Sequence, residues 1–123
     1  MHNDQNTTID ILKMKVNDFV QERDWQQFHS PKNLSMAIAI EAAELMEEFR
    51  FISSEESIKL TKENNTKITN EIADIVIATL SFCNLYEIDL TNAIIKKLQQ
   101  NAEKYPIDKS KGSNKKYLFH QEK

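Results

Sequence analysis

The segment IADIVIATLSFC, residues 72–83, carries one charged residue, Asp74, in an otherwise apolar run. The run continues on both sides, because apolar side chains recur from Ile68 to Leu85 around most of a helix circumference. Such a helix packs in the middle of a bundle or at a subunit interface. The segment therefore predicts a central helix that begins near Thr66, and it favours a helical bundle as the fold.

The rest of the chain also favours helices. One Gly and two Pro in 123 residues leave few turn or strand signals. Apolar spacing and the capping residues Ser30, Ser53 and Asp89 predict further helices over residues 8–23, 31–51 and 90–104, with a short exposed helix over 55–65. We expect one all-α domain over residues 1–123, a four-helix bundle completed by homo-oligomerisation. Its core covers about residues 8–106, and residues 107–123 form a basic, mobile tail.

Charge and cysteine content exclude several classes of protein. The 16 basic and 19 acidic residues give a net charge of -3, so we expect no polymeric nucleic-acid partner. The lone Cys83 rules out a disulfide framework and a Cys/His zinc site. The polar N-terminus lacks the apolar core of a signal peptide, and no run approaches the ~18 apolar residues of a membrane span. We therefore expect a cytoplasmic protein that does not associate with membranes.

Two acidic pairs interrupt the apolar helices. Glu41 and Glu44 are the only charges in LSMAIAIEAAEL, residues 34–45, and Glu71 and Asp74 lie near the start of the central helix. Residues three apart on a helix point in one direction, so each pair presents two carboxylates together. Four converging carboxylates repel one another unless a cation compensates them. Ligation by oxygen alone favours Mg²⁺ or Mn²⁺ over zinc, and Mg²⁺ commonly bridges to substrate phosphates. The pairs therefore predict a metal site for a phosphorylated ligand, with an activated water as the attacking group.

Other interpretations of these acids stay open. They could lie on solvated helix faces or pair with Lys and Arg side chains. Glu47 and Glu48 extend the first pair, either as an exposed helix end or as groups that orient a ligand or act as a general base. A ferritin-like di-iron bundle requires Glu-x-x-His on two helices, and no histidine of this chain has Glu three positions before it.

Two polar stretches flank the acidic helices. Lys97, Asn101 and Lys104 form one stripe on the last predicted helix, directly before Tyr105, and could hold a polyphosphate or belong to a solvated face. In the predicted loop after the first helix, Trp25 and Phe28 could stack on a nucleobase or fill the core, and His29 could be catalytic or structural.

Taken in order, these motifs carry a family resemblance. The chain reads RDWxxFHxPxNL at residues 23–34, ExxELxE at 41–47, ExxD at 71–74 and KxxxNxxKYP at 97–106. This succession resembles the MazG-like all-α nucleoside triphosphate pyrophosphohydrolases, and within them the dCTP pyrophosphatase-like branch. The resemblance covers about residues 8–117.

The resemblance implies a function. The expected reaction is hydrolysis of a (d)NTP, in particular a dNTP such as dCTP, to the monophosphate and pyrophosphate. It implies that the catalytic, metal-binding residues are Glu41, Glu44, Glu71 and Asp74, with Mg²⁺ or Mn²⁺ as cofactor. It implies that substrate is held by Trp25, His29, Phe51, Lys97, Asn101, Lys104 and Tyr105. It also implies a homodimer or a dimer-of-dimers homotetramer. A noncatalytic helical module that binds a nucleotide or a protein is the alternative.

Five positions depart from the branch. Relatives commonly carry Gln-Trp where this chain has Arg50-Phe51, and many carry Arg at the position of Lys104. Val16 and Ala78 stand where some relatives place His and Tyr around the base. These changes leave the metal and phosphate chemistry untouched, because Lys104 is still a cation, so they bear on base preference rather than on the reaction.

Overall fold

The computed structural model describes residues 1–114, apart from the side chain of Asn65. Over this range it contains six α-helices, one 3₁₀ helix and no strand. The α-helices are α1 (Ile9–Glu22), α2 (Pro31–Glu47), α3 (Ser54–Glu63), α4 (Asn65–Leu85), α5 (Leu90–Lys104) and α6 (Ile107–Ser110), and the 3₁₀ helix is Trp25–Phe28. The prediction of an all-α fold is confirmed.

Four of the helices begin at a side-chain cap. In α1, α2, α3 and α5 a polar side chain accepts a hydrogen bond from a backbone N–H of the first turn. The capping residues are Thr8, Ser30, Ser53 and Asp89. In α3 the Ser53 hydroxyl also donates to the Glu56 carboxylate at 3.1 Å. The caps predicted at Ser30, Ser53 and Asp89 are therefore confirmed.

Two predicted boundaries differ from the structure. Helix α2 ends at Glu47, although the apolar pattern predicts helix to Phe51. The hydrogen bonds tighten there to three-residue steps, because the Phe49 amide donates to the Met46 carbonyl at 2.9 Å. In the segment predicted as a tail, α6 forms over Ile107–Ser110, and the tail from residue 115 lies outside the described residues.

Residues 1–88 form one compact unit, and the chain from Asp89 onward forms a second. In the first unit α4 packs against α1, α2 and α3, and its contact with α2 is the most extensive. The Asn84 side chain donates to the Lys13 carbonyl at 2.9 Å, and the Lys13 ammonium donates to the Ile88 carbonyl at 2.7 Å. The predicted central helix is thus the element on which the first unit is built. The assignment of all residues to one domain stays a prediction.

Much of the apolar surface of α2 and α4 is exposed rather than buried. The exposed side chains include Met36, Ile40, Ile72, Val76 and Ile77. Met36 and Ile40 lie four residues apart, as do Ile72 and Val76, so each pair shares one helix face. The acidic pairs therefore lie in helices whose apolar residues are only partly covered by their own chain. Oligomerisation stays a prediction.

Among residues 1–114, one helix is long and apolar enough, by length and composition alone, to cross a membrane. This helix is the stretch Thr66–Leu85 of α4. The central helix of a soluble protein has the same length and composition. The contacts of α4 with three other helices are those of a central helix.

Candidate functional site

Three carboxylates converge where α2 packs against α4. Glu41 and Glu44 come from α2, and Glu71 comes from α4. Each offers one oxygen, and these oxygens lie within 4.8 Å of one another. The spacing of three residues aims both α2 carboxylates in one direction, and the contact between the helices brings Glu71 to them. The structure therefore brings together three of the four predicted metal ligands, which we call the carboxylate cluster.

Two buried oxygens of the cluster favour a cation, whereas Glu44 is exposed. The Oε2 atoms of Glu41 and Glu71 are buried and have no hydrogen-bond partner in the described part of the chain. A carboxylate oxygen withdrawn from water without a donor is costly, and a cation relieves this cost. Because every donor in the set is a carboxylate oxygen, the set suits Mg²⁺ or Mn²⁺.

The electrostatics of the cluster also favour a cation. Burial raises the pKa of Glu41 above its ordinary value of 4.5, and the hydrogen bond and charge of Glu44 and the charges of Asp74 and Glu71 raise it further. Burial also raises the pKa of Glu71, with the charges of Glu44, Asp74 and Glu48 as further causes. The site thus concentrates negative charge that a divalent cation would neutralise.

Asp74 lies outside the three-carboxylate grouping. It is exposed on α4, one turn after Glu71. Its charge nevertheless raises the pKa of Glu41 and of Glu71, so it belongs to the same electrostatic environment. Its role as a fourth metal ligand stays a prediction.

The two acids that follow the first pair have different surroundings. The Glu48 carboxylate pairs with the Lys67 ammonium at 3.2 Å, is only 19% exposed, and contributes to the raised pKa of Glu71. Glu47 pairs with Arg50 at 3.1 Å on the exposed side of α2. Of the two, Glu48 is therefore the neighbour of the carboxylate cluster, a distinction that their adjacency in sequence could not give.

The aromatic segment after α1 is held by its own side chains. Trp25 begins the 3₁₀ helix and meets Phe19 edge to face, with ring centroids 5.7 Å apart. The Arg23 guanidinium lies 3.8 Å from the centroid of the Phe19 ring. The contact of Trp25 with Phe19 of α1 was not predicted from the sequence. The substrate role of Trp25 stays a prediction.

The turn into this segment depends on Asp24. Asp24 adopts a left-handed backbone conformation, with φ of 54°. Its carboxylate accepts hydrogen bonds from the side-chain amides of Gln26 and Gln27, both at 3.0 Å. His29 ends the 3₁₀ helix and is half-buried. No role was predicted for Asp24, although aspartate tolerates the left-handed region that this turn requires.

The remaining predicted substrate residues lie away from these elements in sequence. Phe51 is 80% exposed after the end of α2, with the Arg50 guanidinium 4.2 Å from its ring centroid. In the second unit α5 carries Lys97, Asn101 and Lys104, and Tyr105 ends it by donating its amide to the Asn101 carbonyl at 2.8 Å. The predicted helix over residues 90–104, which places Lys97, Asn101 and Lys104 on one face, is confirmed. The roles of these residues stay predictions.

Comparisons with known proteins agree with the family resemblance. The model of the MazG-like family matches residues 36–118. The dCTP pyrophosphatase 1 proteins of Rattus norvegicus and Mus musculus are each 32% identical to this chain over 112 residues, or 89% of it, and the Homo sapiens protein is 29% identical over the same length. The matched region spans 66% of the length of these relatives. The crystal structure of a pyrophosphatase from Archaeoglobus fulgidus aligns with a TM-score of 0.77 and 34% identity, covering 86% of this chain and 98% of that one.

Proposed function

This chain belongs to the MazG-like family, and we propose that it is a Mg²⁺-dependent pyrophosphohydrolase of nucleoside triphosphates. The proposed reaction cleaves the bond between the α and β phosphates with water and releases a nucleoside monophosphate and pyrophosphate. Deoxynucleoside triphosphates are the proposed substrates, and dCTP is the first to test because similar proteins are named dCTP pyrophosphatase 1.

The carboxylate cluster is the observation that carries this proposal. Glu41, Glu44 and Glu71 would hold the cation through oxygens within 4.8 Å of one another, with Asp74 as the proposed fourth ligand. A bound Mg²⁺ supplies positive charge to phosphate oxygens and lowers the pKa of a coordinated water. The buried, unpartnered oxygens of Glu41 and Glu71 suit this use because they are already withdrawn from competing water.

Glu48 and Lys67 have a supporting role in the proposal. The ammonium group of Lys67 binds Glu48 at 3.2 Å and so holds this carboxylate in place beside Glu71. From there the Glu48 charge favours the protonated form of Glu71 when no cation is present. Together with the carboxylate cluster it would strengthen the attraction for a divalent cation.

The other residues of the proposal lie on α5 and in the aromatic segment. Lys97, Asn101, Lys104 and Tyr105 would hold the phosphate chain, since ammonium and amide groups donate hydrogen bonds to phosphate oxygens. Trp25, His29 and Phe51 would contact the nucleoside. The exposed apolar faces of α2 and α4 suit a homodimer or homotetramer, and the cytoplasm is the proposed compartment.

The reaction is tested with purified protein, Mg²⁺ and a panel of ribo- and deoxynucleoside triphosphates. The expected products are pyrophosphate and the matching monophosphate from at least one dNTP, with loss of turnover in Glu41→Gln. Release of inorganic phosphate and a diphosphate would contradict the proposed cleavage position. Thermal stabilisation by nucleotide without any product would support the noncatalytic binding module instead.

A further inference from the structure

Helices α2 and α4 lie antiparallel, so facing side chains meet in pairs along them. Glu48, at the C-terminal end of α2, contacts Lys67 in the first turn of α4, whereas the carboxylate cluster lies earlier in α2 and later in α4. Steps of three and four residues keep each set of side chains on one helix face. We call these facing residues the α2–α4 row. By register its pairs are Glu48 with Lys67, Glu44 with Glu71, and Glu41 with Asp74.

Lys67 is the only cation of the α2–α4 row. It precedes Glu71 by four residues, so it lies one turn, or about 6 Å along the helix axis, from the carboxylate cluster. Its side chain is 58% exposed, and its ammonium group lies 3.2 Å from one carboxylate oxygen of Glu48. An ammonium group has three N–H donors, so donors remain for a ligand that reaches the row from solvent.

The charges of the row favour a phosphate as this ligand. The carboxylate cluster repels phosphate oxygens that no cation covers, whereas Lys67 attracts them. An ammonium group forms stronger hydrogen bonds with phosphate than neutral donors do. An exposed pair such as Lys67 with Glu48 holds only weakly, so the ammonium group can share its donors with a second anion.

We propose that Lys67 binds the β and γ phosphates, the half of the triphosphate that leaves as pyrophosphate; this inference rests on the proposed function. Cleavage places the α phosphate at the carboxylate cluster, so the remaining negative charge of the substrate lies on the two outer phosphates. The oxygen of water bonds to the α phosphorus and its proton passes to solvent, while the bridging oxygen leaves on pyrophosphate with the electron pair of the broken bond. Lys67, one turn from Glu71, would stabilise that charge.

Pyrophosphate and dCMP are the probes, because they are the two products that dCTP would give. Calorimetry with Mg²⁺ measures the Kd of each. Lys67→Gln should weaken pyrophosphate by at least about tenfold and leave dCMP within about twofold, whereas Lys67→Arg should keep most of the pyrophosphate affinity. Lys59→Gln is the matched control, since Lys59 is exposed on α3 and its loss changes the net charge equally. An equal loss in Lys59→Gln, or no pyrophosphate binding by the parent, would overturn the inference.

A double variant distinguishes phosphate binding from the positioning of Glu48. If Lys67 acts only by holding Glu48, then Lys67→Gln adds no loss once Glu48→Gln is present. Direct contact with phosphate instead predicts that Lys67→Gln still weakens pyrophosphate about tenfold in the Glu48→Gln background. The absence of this additional loss would overturn the inference.

The outcomes also separate this inference from the proposed reaction. Weaker pyrophosphate binding in Lys67→Gln, without product from any triphosphate in the parent, would overturn the reaction and support the phosphate contact. Turnover in the parent, with unchanged pyrophosphate affinity and KM in Lys67→Gln, would overturn the contact and leave the reaction standing.

Discussion

Glu41 of α2 and Glu71 of α4 offer carboxylate oxygens within 4.8 Å of each other, and each residue buries its Oε2 without a hydrogen-bond partner. In the described part of the chain, neither residue takes part in a salt bridge, and the neighbouring Glu48 is bound to Lys67. The folded protein therefore keeps a mutual repulsion that a cation would remove. This cost to the folded state is expected where carboxylates are arranged for binding rather than for stability.

Glu41→Gln should separate stability from function. Without metal the variant should melt at least as high as the parent, because the substitution removes one repelling charge from the carboxylate cluster. With Mg²⁺ it should lose the stabilisation that the parent gains and at least about 100-fold in kcat/KM. Glu47→Gln is the control, since Glu47 is exposed on the same helix. Full activity in Glu41→Gln would contradict the assignment of the site.

The affinity for Mg²⁺ should rise with pH. The pKa values of Glu41 and Glu71 are raised, so the metal-free folded state holds protons that the unfolded chain has already released above pH 4.5. The stability from these two groups is fully present below pH 4.5 and is lost as pH rises through the raised pKa values. Mg²⁺ must displace the same protons, so its stabilising effect should grow over that range.

Calorimetry checks this pH dependence directly. Titration of Mg²⁺ in two buffers with different ionisation enthalpies should show proton release at about pH 5 and much less at about pH 8. The Mg²⁺-dependent gain in melting temperature should increase between the same two pH values. Equal affinity and no proton release at both would show that the carboxylate cluster does not bind the ion.

Glu48→Gln should affect the carboxylate cluster more than Glu47→Gln, although the two residues are neighbours. Removing the Glu48 charge lowers the electrostatic attraction for a cation and leaves the Lys67 ammonium unpaired near Glu71. We expect a loss of about 10-fold in Mg²⁺ affinity, within the range for groups that support metal ligands. Glu47→Gln breaks only the exposed pair with Arg50 and should change affinity by less than about twofold. Equal effects of both substitutions would remove any special role for Glu48.

Lys97→Gln should weaken the triphosphate through KM. A charge-assisted hydrogen bond to phosphate is worth about 1.5 to 3 kcal/mol, so the expected rise in KM is at least about tenfold. The matched control is Lys96→Gln, because Lys96 is also exposed on α5 but is one residue, or about 100°, away around the helix. Steady-state kinetics with the preferred dNTP distinguish the two variants. Similar losses in both would indicate a general effect of charge rather than a phosphate contact.

The sequence predicted features that depend on near neighbours. Ser30 and Asp89 cap α2 and α5 as expected, since a cap needs only a side-chain oxygen and an amide three residues later. The shared helix face of Glu41 and Glu44 was also accessible, because helical spacing and missing local counter-ions are visible in the sequence. The sequence did not predict that α2 ends before Phe51, because the apolar pattern continues beyond the point where the backbone hydrogen bonds shorten to three-residue steps.

Features that depend on tertiary contacts were harder to predict. Nothing in the sequence distinguishes Glu48 from Glu47. Only the packing of α2 against α4 brings the Lys67 ammonium to the Glu48 carboxylate. The exposure of Ile72 and Val76 was likewise hidden, since an apolar residue carries no sign of whether its own chain covers it.

Asp24→Ala should loosen the aromatic segment. Asp24 adopts φ of 54°, a conformation that costs Ala about 1 to 2 kcal/mol, and its carboxylate accepts from both Gln26 and Gln27. Asp24→Ala should therefore lower the free energy of unfolding and raise KM by several-fold, because Trp25 follows directly.

Asp24→Gly relieves the backbone strain but also lacks the acceptor, so it should recover stability without recovering KM. Asp24→Asn keeps one acceptor oxygen and tolerates the backbone conformation, so it should remain closest to the parent in both. Chemical denaturation and steady-state kinetics on the three variants separate the contributions, and a normal KM in Asp24→Gly would show that the hydrogen bonds to Gln26 and Gln27 do not position the segment.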